Sequence, residues 1–94
     1  MIIVSGQIHI VAGGRPKFLK ESLKAVSLAR KAPGCIDFVV AADPLDEDRV
    51  NVFEQWGSDA DLENFRGGGL GSDLRSLIVR ASVQRHRISS SGSA

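Results

Sequence analysis

Between Ile2 and Val11 the apolar residues Ile2, Val4, Ile8 and Ile10 share one parity, while Ser5, Gln7 and His9 fall on the other. Successive side chains of an extended chain point to opposite sides, so this alternation predicts a strand with one apolar and one polar face. Gly13-Gly14 ends the strand, and Pro16 stands where the first turn of a helix tolerates a missing N–H. From Pro16 to Ala32 the period changes. Leu19, Leu23, Val26 and Ala29 recur at helical spacing, Phe18, Ala25 and Leu28 widen the stripe, and Lys20, Lys24 and Lys31 lie largely off it. Pro33-Gly34 stops this helix, because proline disfavours the helical conformation of the residue before it and glycine turns the chain at little steric cost.

Cys35 to Ala42 reads as a second strand, with Ile36, Phe38, Val40 and Ala42 on one side and Cys35, Asp37, Val39 and Ala41 on the other. The acidic stretch Asp43 to Asp48 is too long for a two-residue hairpin and suits a looser antiparallel connection to a third strand, Arg49 to Trp56. Ser58 is placed to cap a short helix through Phe65, with Asp61 at the capping-box position and Leu62 and Phe65 on the buried side. Gly67 to Gly71 reads as a hinge. Ser72 then opens a second short helical piece whose apolar side is Leu74, Leu77 and Ile78, and a last strand runs from Ala81 to Ile88. Ser89 to Ala94 carry no core-forming side chain, so residues 1–88 are expected to form one domain and residues 89–94 a flexible tail.

The order strand, helix, strand, strand, helix, strand is that of the split βαβ or ferredoxin-like motif, an α+β fold in which a four-stranded antiparallel sheet carries its helices on one face. The other face is then bare. The middle strands place Val39, Ala41 and Phe53 away from their main apolar sides, and a large bare apolar patch is unusual on a monomer. A second copy of the chain, pairing through the sheet face into a homodimer, is the natural cover. Size agrees: a chain of 94 residues buries only about 60–65% of the surface its unfolded form exposes, and it gains much from a partner.

Composition narrows the functional classes. Twelve Lys and Arg against eleven Asp and Glu leave a net charge of +1, which supplies no drive toward nucleic acid or anionic membrane. Arg75, Arg80, Arg85 and Arg87 read as a solvated basic face. One cysteine, Cys35, gives neither a disulfide framework nor a zinc pattern and fits a reducing compartment. Met1 to Gly13 lacks a basic leader and is too short to span a bilayer, so the expected location is cytoplasmic. The Gly67 to Gly71 run has neither the Lys-Ser/Thr ending of a phosphate-binding loop nor a dinucleotide fingerprint.

The stretch Ala32-Pro33-Gly34-Cys35-Ile36-Asp37-Phe38, followed by Asp43-Pro44, by Phe53-Glu54-Gln55-Trp56 and by a helix after Ser58, resembles the central pattern of the antibiotic biosynthesis monooxygenases. With Gly13-Gly14 the resemblance covers Ile2 to Arg66. It implies a dimeric α+β barrel with a pocket between each sheet and its helices, and an oxygenase of a small aromatic or quinol-type molecule that uses no metal or other cofactor. In haem-degrading relatives a strand-one asparagine, a strand-three tryptophan and a helix histidine form the site. Here those places fall to Gln7, Trp56 and Phe65 or a close neighbour, which leaves haem iron without an evident axial ligand. Quinol-oxidising relatives combine tryptophan with asparagine, tyrosine and arginine. This chain has no tyrosine, and Asn51, at odd spacing from Trp56, points to the opposite face.

Oxygenation without a cofactor needs a base, hydrogen bonds for the anion formed, and a dry pocket. His9 is the expected base, with Gln7 beside it and Ser5 on the same strand face as a substrate contact; the other reading of these three is a polar strand face at an interface. Trp56 is expected to stack on a flat ligand or else to anchor the core, and Phe65 to contact the substrate. Glu54 is expected to contact the substrate, acting as a second acid or base if buried; otherwise Arg85 or Arg87 is its cross-strand partner. A single histidine between two arginines, His86 reads as a surface residue. The alternative for the whole chain is a non-catalytic dimeric module that binds a small apolar ligand.

Overall fold

The chain folds as β1 (Ile2–Ile10), α1 (Arg15–Lys31), β2 (Cys35–Ala42), β3 (Arg49–Trp56), α2 (Asp59–Arg66), α3 (Ser72–Ser76) and β4 (Ile78–Arg87). The computed structural model describes residues 1–67 and 72–94, so the expected hinge lies, beyond Gly67, outside the described residues. The strands form one antiparallel sheet in the order β2-β3-β1-β4. This is the α+β ferredoxin-like arrangement expected from the sequence.

The register of β1 against β3 pairs Ile2 with Trp56, Val4 with Glu54 and Ile8 with Val50, which puts all of these on one side of the sheet. The helices cover that side. One core cluster joins Ile2, Val4, Phe38 and Trp56 to Ala29 of α1 and Leu62 of α2; a second joins Ile10 and Val50 to Phe18 of α1 and Leu74 of α3. The opposite face carries Ile3, Ser5, Gln7 and His9 of β1 beside Phe53 and Asn51 of β3, and among the described residues the helices pack on the other side.

Three local expectations are corrected. In α1 the buried line is Phe18, Ser22 and Ala29, while Leu23 is 66% exposed and Leu28 54%. The helix is rolled so that Ser22 and Ala29 face inward with Phe18 while Leu23 and Leu28 turn outward. The Ser22 hydroxyl donates to the Leu19 carbonyl at 2.8 Å, so its burial leaves no unmet polar group. In β2 a bulge between Cys35 and Asp37 turns Cys35 to the same side as Trp56 and leaves Ile36 exposed. Burial there, followed by the charges of Asp37 and Glu54, raises the pKa of the Cys35 thiol. Finally, Ile78 belongs to β4 rather than to the short helix, and a register shift at His9 and Ile10 lets Ile78 pair with Ile10.

Both ends of the β2–β3 connection are tied to α1. Arg15 Nη1 donates to the carbonyls of Asp43, Asp46 and Arg49 at 3.2, 2.8 and 3.3 Å. Asp43 accepts from Asn51 Nδ2 and from the Leu45 and Asp46 amides, which hold its pKa at about 2. At the other end of the sheet, Ser58 accepts from the Asp61 amide at 3.2 Å and donates to Asp61 Oδ2, the cap expected for α2. Residues 89–94 have no regular structure, and the Ile88 amide donates to the Met1 carbonyl at 2.9 Å. Among the described residues no helix is long and apolar enough to cross a membrane.

Candidate active site

A cleft of about 770 Å³ opens between the C-terminal half of α1 and α2, beside the first core cluster. Ala25, Leu28 and Ala32 form one wall, Asn64, Phe65 and Arg66 the other, and Arg75 of α3 reaches it as well. Phe38 and Glu54 come up from the sheet beneath. The partial exposure of Leu28, a misfit for a core residue, is that of a cleft wall.

Aromatic rings pack against one another at the base of the cleft. Phe65 lies 5.3 Å from Trp56, centroid to centroid and tilted by 32°, and meets Phe38 edge-on at 5.8 Å. Trp56 itself is fully buried beneath Phe65 and does not line the cleft. Its contribution to the site passes through Glu54: the indole Nε1–H donates to Glu54 Oε1 at 3.0 Å. The two side chains meet because residues two apart on a strand share a face.

Glu54 is only 8% exposed. Burial raises its carboxyl pKa, opposed in smaller measure by the Trp56 hydrogen bond and by the positive charges of Arg66 and Arg85. The alternative of a strand-to-strand ion pair does not occur. Arg85 binds Asp59 and Glu63, and Arg87 binds Asp59, both reaching outward to α2. The register explains why: Val4 of β1 stands between Glu54 and Arg85. Glu54 is thus a buried carboxyl in an aromatic cleft, held by one indole and, among the described residues, in no ion pair.

The six expected site residues divide between the two sides of the sheet. Trp56, Glu54 and Phe65 come together on the helix side. Ser5, Gln7 and His9 sit on the open side, opposite Phe53, Asn51 and Arg49 in register. His9 Nδ1 lies 4.0 Å from Asp46 Oδ2. Asn51 is also on the open side, where it accepts from Arg49 Nε at 2.7 Å, and the β3 ladder is regular through it. The cleft residues that sequence reasoning did not single out are Asn64, Arg66 and the α1 wall. Arg66 stands one residue after Phe65 and carries no signal of its own.

The family model described as antibiotic biosynthesis monooxygenase matches residues 1–70. The chain belongs to this family. Solved structures show how far the backbone is shared. A candidate antibiotic biosynthesis monooxygenase from Deinococcus radiodurans superposes with a TM-score of 0.86 at 14% identity, covering 100% of this chain and 98% of the other. One from Nitrosomonas europaea gives 0.82 at 10%, covering 96% and 100%, and one from Chloroflexus aurantiacus gives 0.76 at 23%, covering 97% and 96%. At such identities the likeness is one of fold. No curated protein matches the chain. Among the described residues the cleft lining offers carboxylate, amide and guanidinium groups and no imidazole, thiolate or phenolate, which does not fit the axial ligation of a haem iron.

Proposed function

We propose that the chain is a cofactor-independent monooxygenase of a small aromatic or quinol-type molecule, with Glu54 rather than His9 as its base. The observation that carries this reading is the buried Glu54 carboxyl facing an aromatic cleft. A carboxylate with a raised pKa is a stronger base than one in water, and it works best on a substrate whose C–H or O–H is already acidic. For an anthrone-type methylene, Glu54 takes one proton and the carbanion gives an electron to dioxygen. The radical pair closes a C–O bond, and the peroxide takes the proton back from Glu54. Glu54 then removes the second C–H proton as the O–O bond breaks and passes it to the departing hydroxide, leaving a ketone and water. One dioxygen is consumed, the methylene is oxidised to a carbonyl, and the enzyme returns to its starting state. Phe65 and Phe38 are the faces on which the flat substrate rests, and Trp56 positions Glu54.

Anthrone and hydroquinones in aerated buffer test the reading. Oxygen uptake above the protein-free rate, with anthraquinone formed from anthrone, is expected. Uptake equal to buffer across the set would leave the chain a binding module of the same fold.

The active form is a homodimer closed through the open sheet face. Ile3, Val39 and Phe53 lie there half-buried with no helix of their own chain above them, and Ser5, Gln7 and His9 supply polar contacts around them. Light scattering after size exclusion is expected to give twice the chain mass. Phe53→Arg, which sets a charge in the middle of that face, is expected to shift the particle to the monomer mass; a variant that stays dimeric would move the interface elsewhere.

A further inference from the structure

The arginines of the chain divide into two groups. Arg15, Arg30, Arg49, Arg85 and Arg87 each donate to a carbonyl or a side-chain oxygen, whereas Arg66, Arg75 and Arg80 have no hydrogen-bond or ion-pair partner among the described residues. Two of these three, Arg66 from the end of α2 and Arg75 from α3, line the same cleft. Guanidinium groups facing a protein's own carboxylates pair with them, as Arg85 and Arg87 do with Asp59 and Glu63. At the cleft the charge of Arg66 reaches Glu54, but no direct ion pair forms among the described residues. Asp61 is occupied by the Ser58 hydroxyl, and Glu54 lies below with Trp56.

Resting on the oxygenase reading of this cleft, we infer that its ligand is a flat aromatic molecule carrying an acidic substituent, a carboxylate or an equally anionic group, which Arg66 and Arg75 bind while the ring lies against Phe65 and Phe38. The division of labour follows from chemistry. A guanidinium presents paired N–H donors that match a carboxylate, and the edge of the cleft keeps that charge in contact with water. Anchoring the anionic end at the arginines directs the uncharged end of the ring system inward, toward Glu54. An anion set against Glu54 instead would meet a like charge. The cleft is therefore polarised, cationic at its edge and carboxylate-based within, and it selects orientation as well as charge.

Binding without turnover tests this separately from the oxygenase chemistry. In a fluorescence titration 9-anthracenecarboxylate is expected to bind about tenfold tighter than the uncharged 9-anthracenemethanol, the strength of one charge-assisted contact. The double variant Arg66→Ala, Arg75→Ala is expected to abolish that preference, so that the two compounds bind alike. Added salt weakens only the carboxylate's binding to the wild-type protein. Glu54→Gln, which removes the proposed base, retains the preference. Equal affinities, a preference that survives the double arginine variant, or binding of neither compound overturns the inference. Loss of oxygen uptake in Glu54→Gln with the preference intact leaves both readings standing; a preference in a protein that consumes no oxygen removes only the oxygenase.

Discussion

Glu54→Gln is expected to lower oxygen uptake by about a hundred- to ten-thousandfold, the usual contribution of a positioned base, and at the same time to make the protein more stable at neutral pH. Glutamine keeps the carbonyl oxygen that accepts from the Trp56 indole, and it fills the same volume, so the core beneath the cleft has no reason to shift. What it loses is the ability to hold a proton taken from substrate. The stability gain comes from the same burial that makes the carboxylate basic. Because the folded pKa of Glu54 is raised, the protein binds the proton more tightly folded than unfolded. Its contribution to stability is fully present below the ordinary value of 4.5 and is lost as pH rises through the folded pKa. Below pH 4.5 the variant and the wild type should therefore melt together. Above it they separate, with Glu54→Gln the more stable at neutral pH, a stability gain at the cost of function. Thermal melts across pH, run beside oxygen uptake, read both effects. A variant that is fully active, or one that melts below the wild type at neutral pH, removes Glu54 as the base. Trp56→Phe supplies the positioning readout: loss of the indole donor raises the Glu54 pKa further, so the acidic limb of the rate profile moves to higher pH.

How much of this was legible in the sequence depends on whether a feature lies within one element or between two. The alternation in β1 and the odd spacing of Asn51 from Trp56 are local, and the structure keeps both. The pairing of Glu54 with Trp56 is local too, since residues two apart on a strand share a side. Which side of β1 matches which side of β3 is a matter of register, and a shift of one residue would exchange the faces. The choice of His9 as base followed from the acid–base chemistry of imidazole and could not use that register. Nor could the sequence reveal that Val4 would separate Glu54 from Arg85, leaving the carboxyl unpaired. The roll of α1 was hidden for a different reason: hydrophobicity ranks Leu23 above Ser22, whereas close packing on a sheet favours the smaller residue. Bulges at Cys35 and at His9 leave no mark beyond the residues themselves.

Gly6→Ala is expected to have the largest effect on folding of any single methyl group added to the sheet. Glycine inside a strand reads from sequence only as a mild weakness, since it has no side chain to pack. Here the backbone requires it. Gly6 has φ +153°, outside the range that other residues adopt readily, and it stands in the strand that pairs on both edges, opposite Val52 of β3 and Val83 of β4. A Cβ at this position would fall on the carbonyl oxygen of Ser82, and would come within 2.8 Å of Val83 Cα and 2.9 Å of the Ser82 carbonyl carbon. All three are backbone atoms. A rotamer change cannot relieve the clash, so β1 and β4 must separate, and the register between them is what sets Arg85 beyond Val4 and away from Glu54. The dihedral penalty and the broken ladder together cost about 3 kcal/mol or more, a large share of the ~5–15 kcal/mol that holds a small domain. At about 4–8 °C per kcal/mol for a domain of this size, Tm is expected to fall by roughly 15–20 °C at equal protein concentration. Gly13→Ala provides the comparison: Gly13 also has positive φ, at +76°, but no atom lies within 4 Å of its added Cβ, so its cost is that of the dihedral alone. A Gly6→Ala protein that melts no lower than Gly13→Ala would mean that β4 moves aside freely and that the β1–β4 register does not constrain the site.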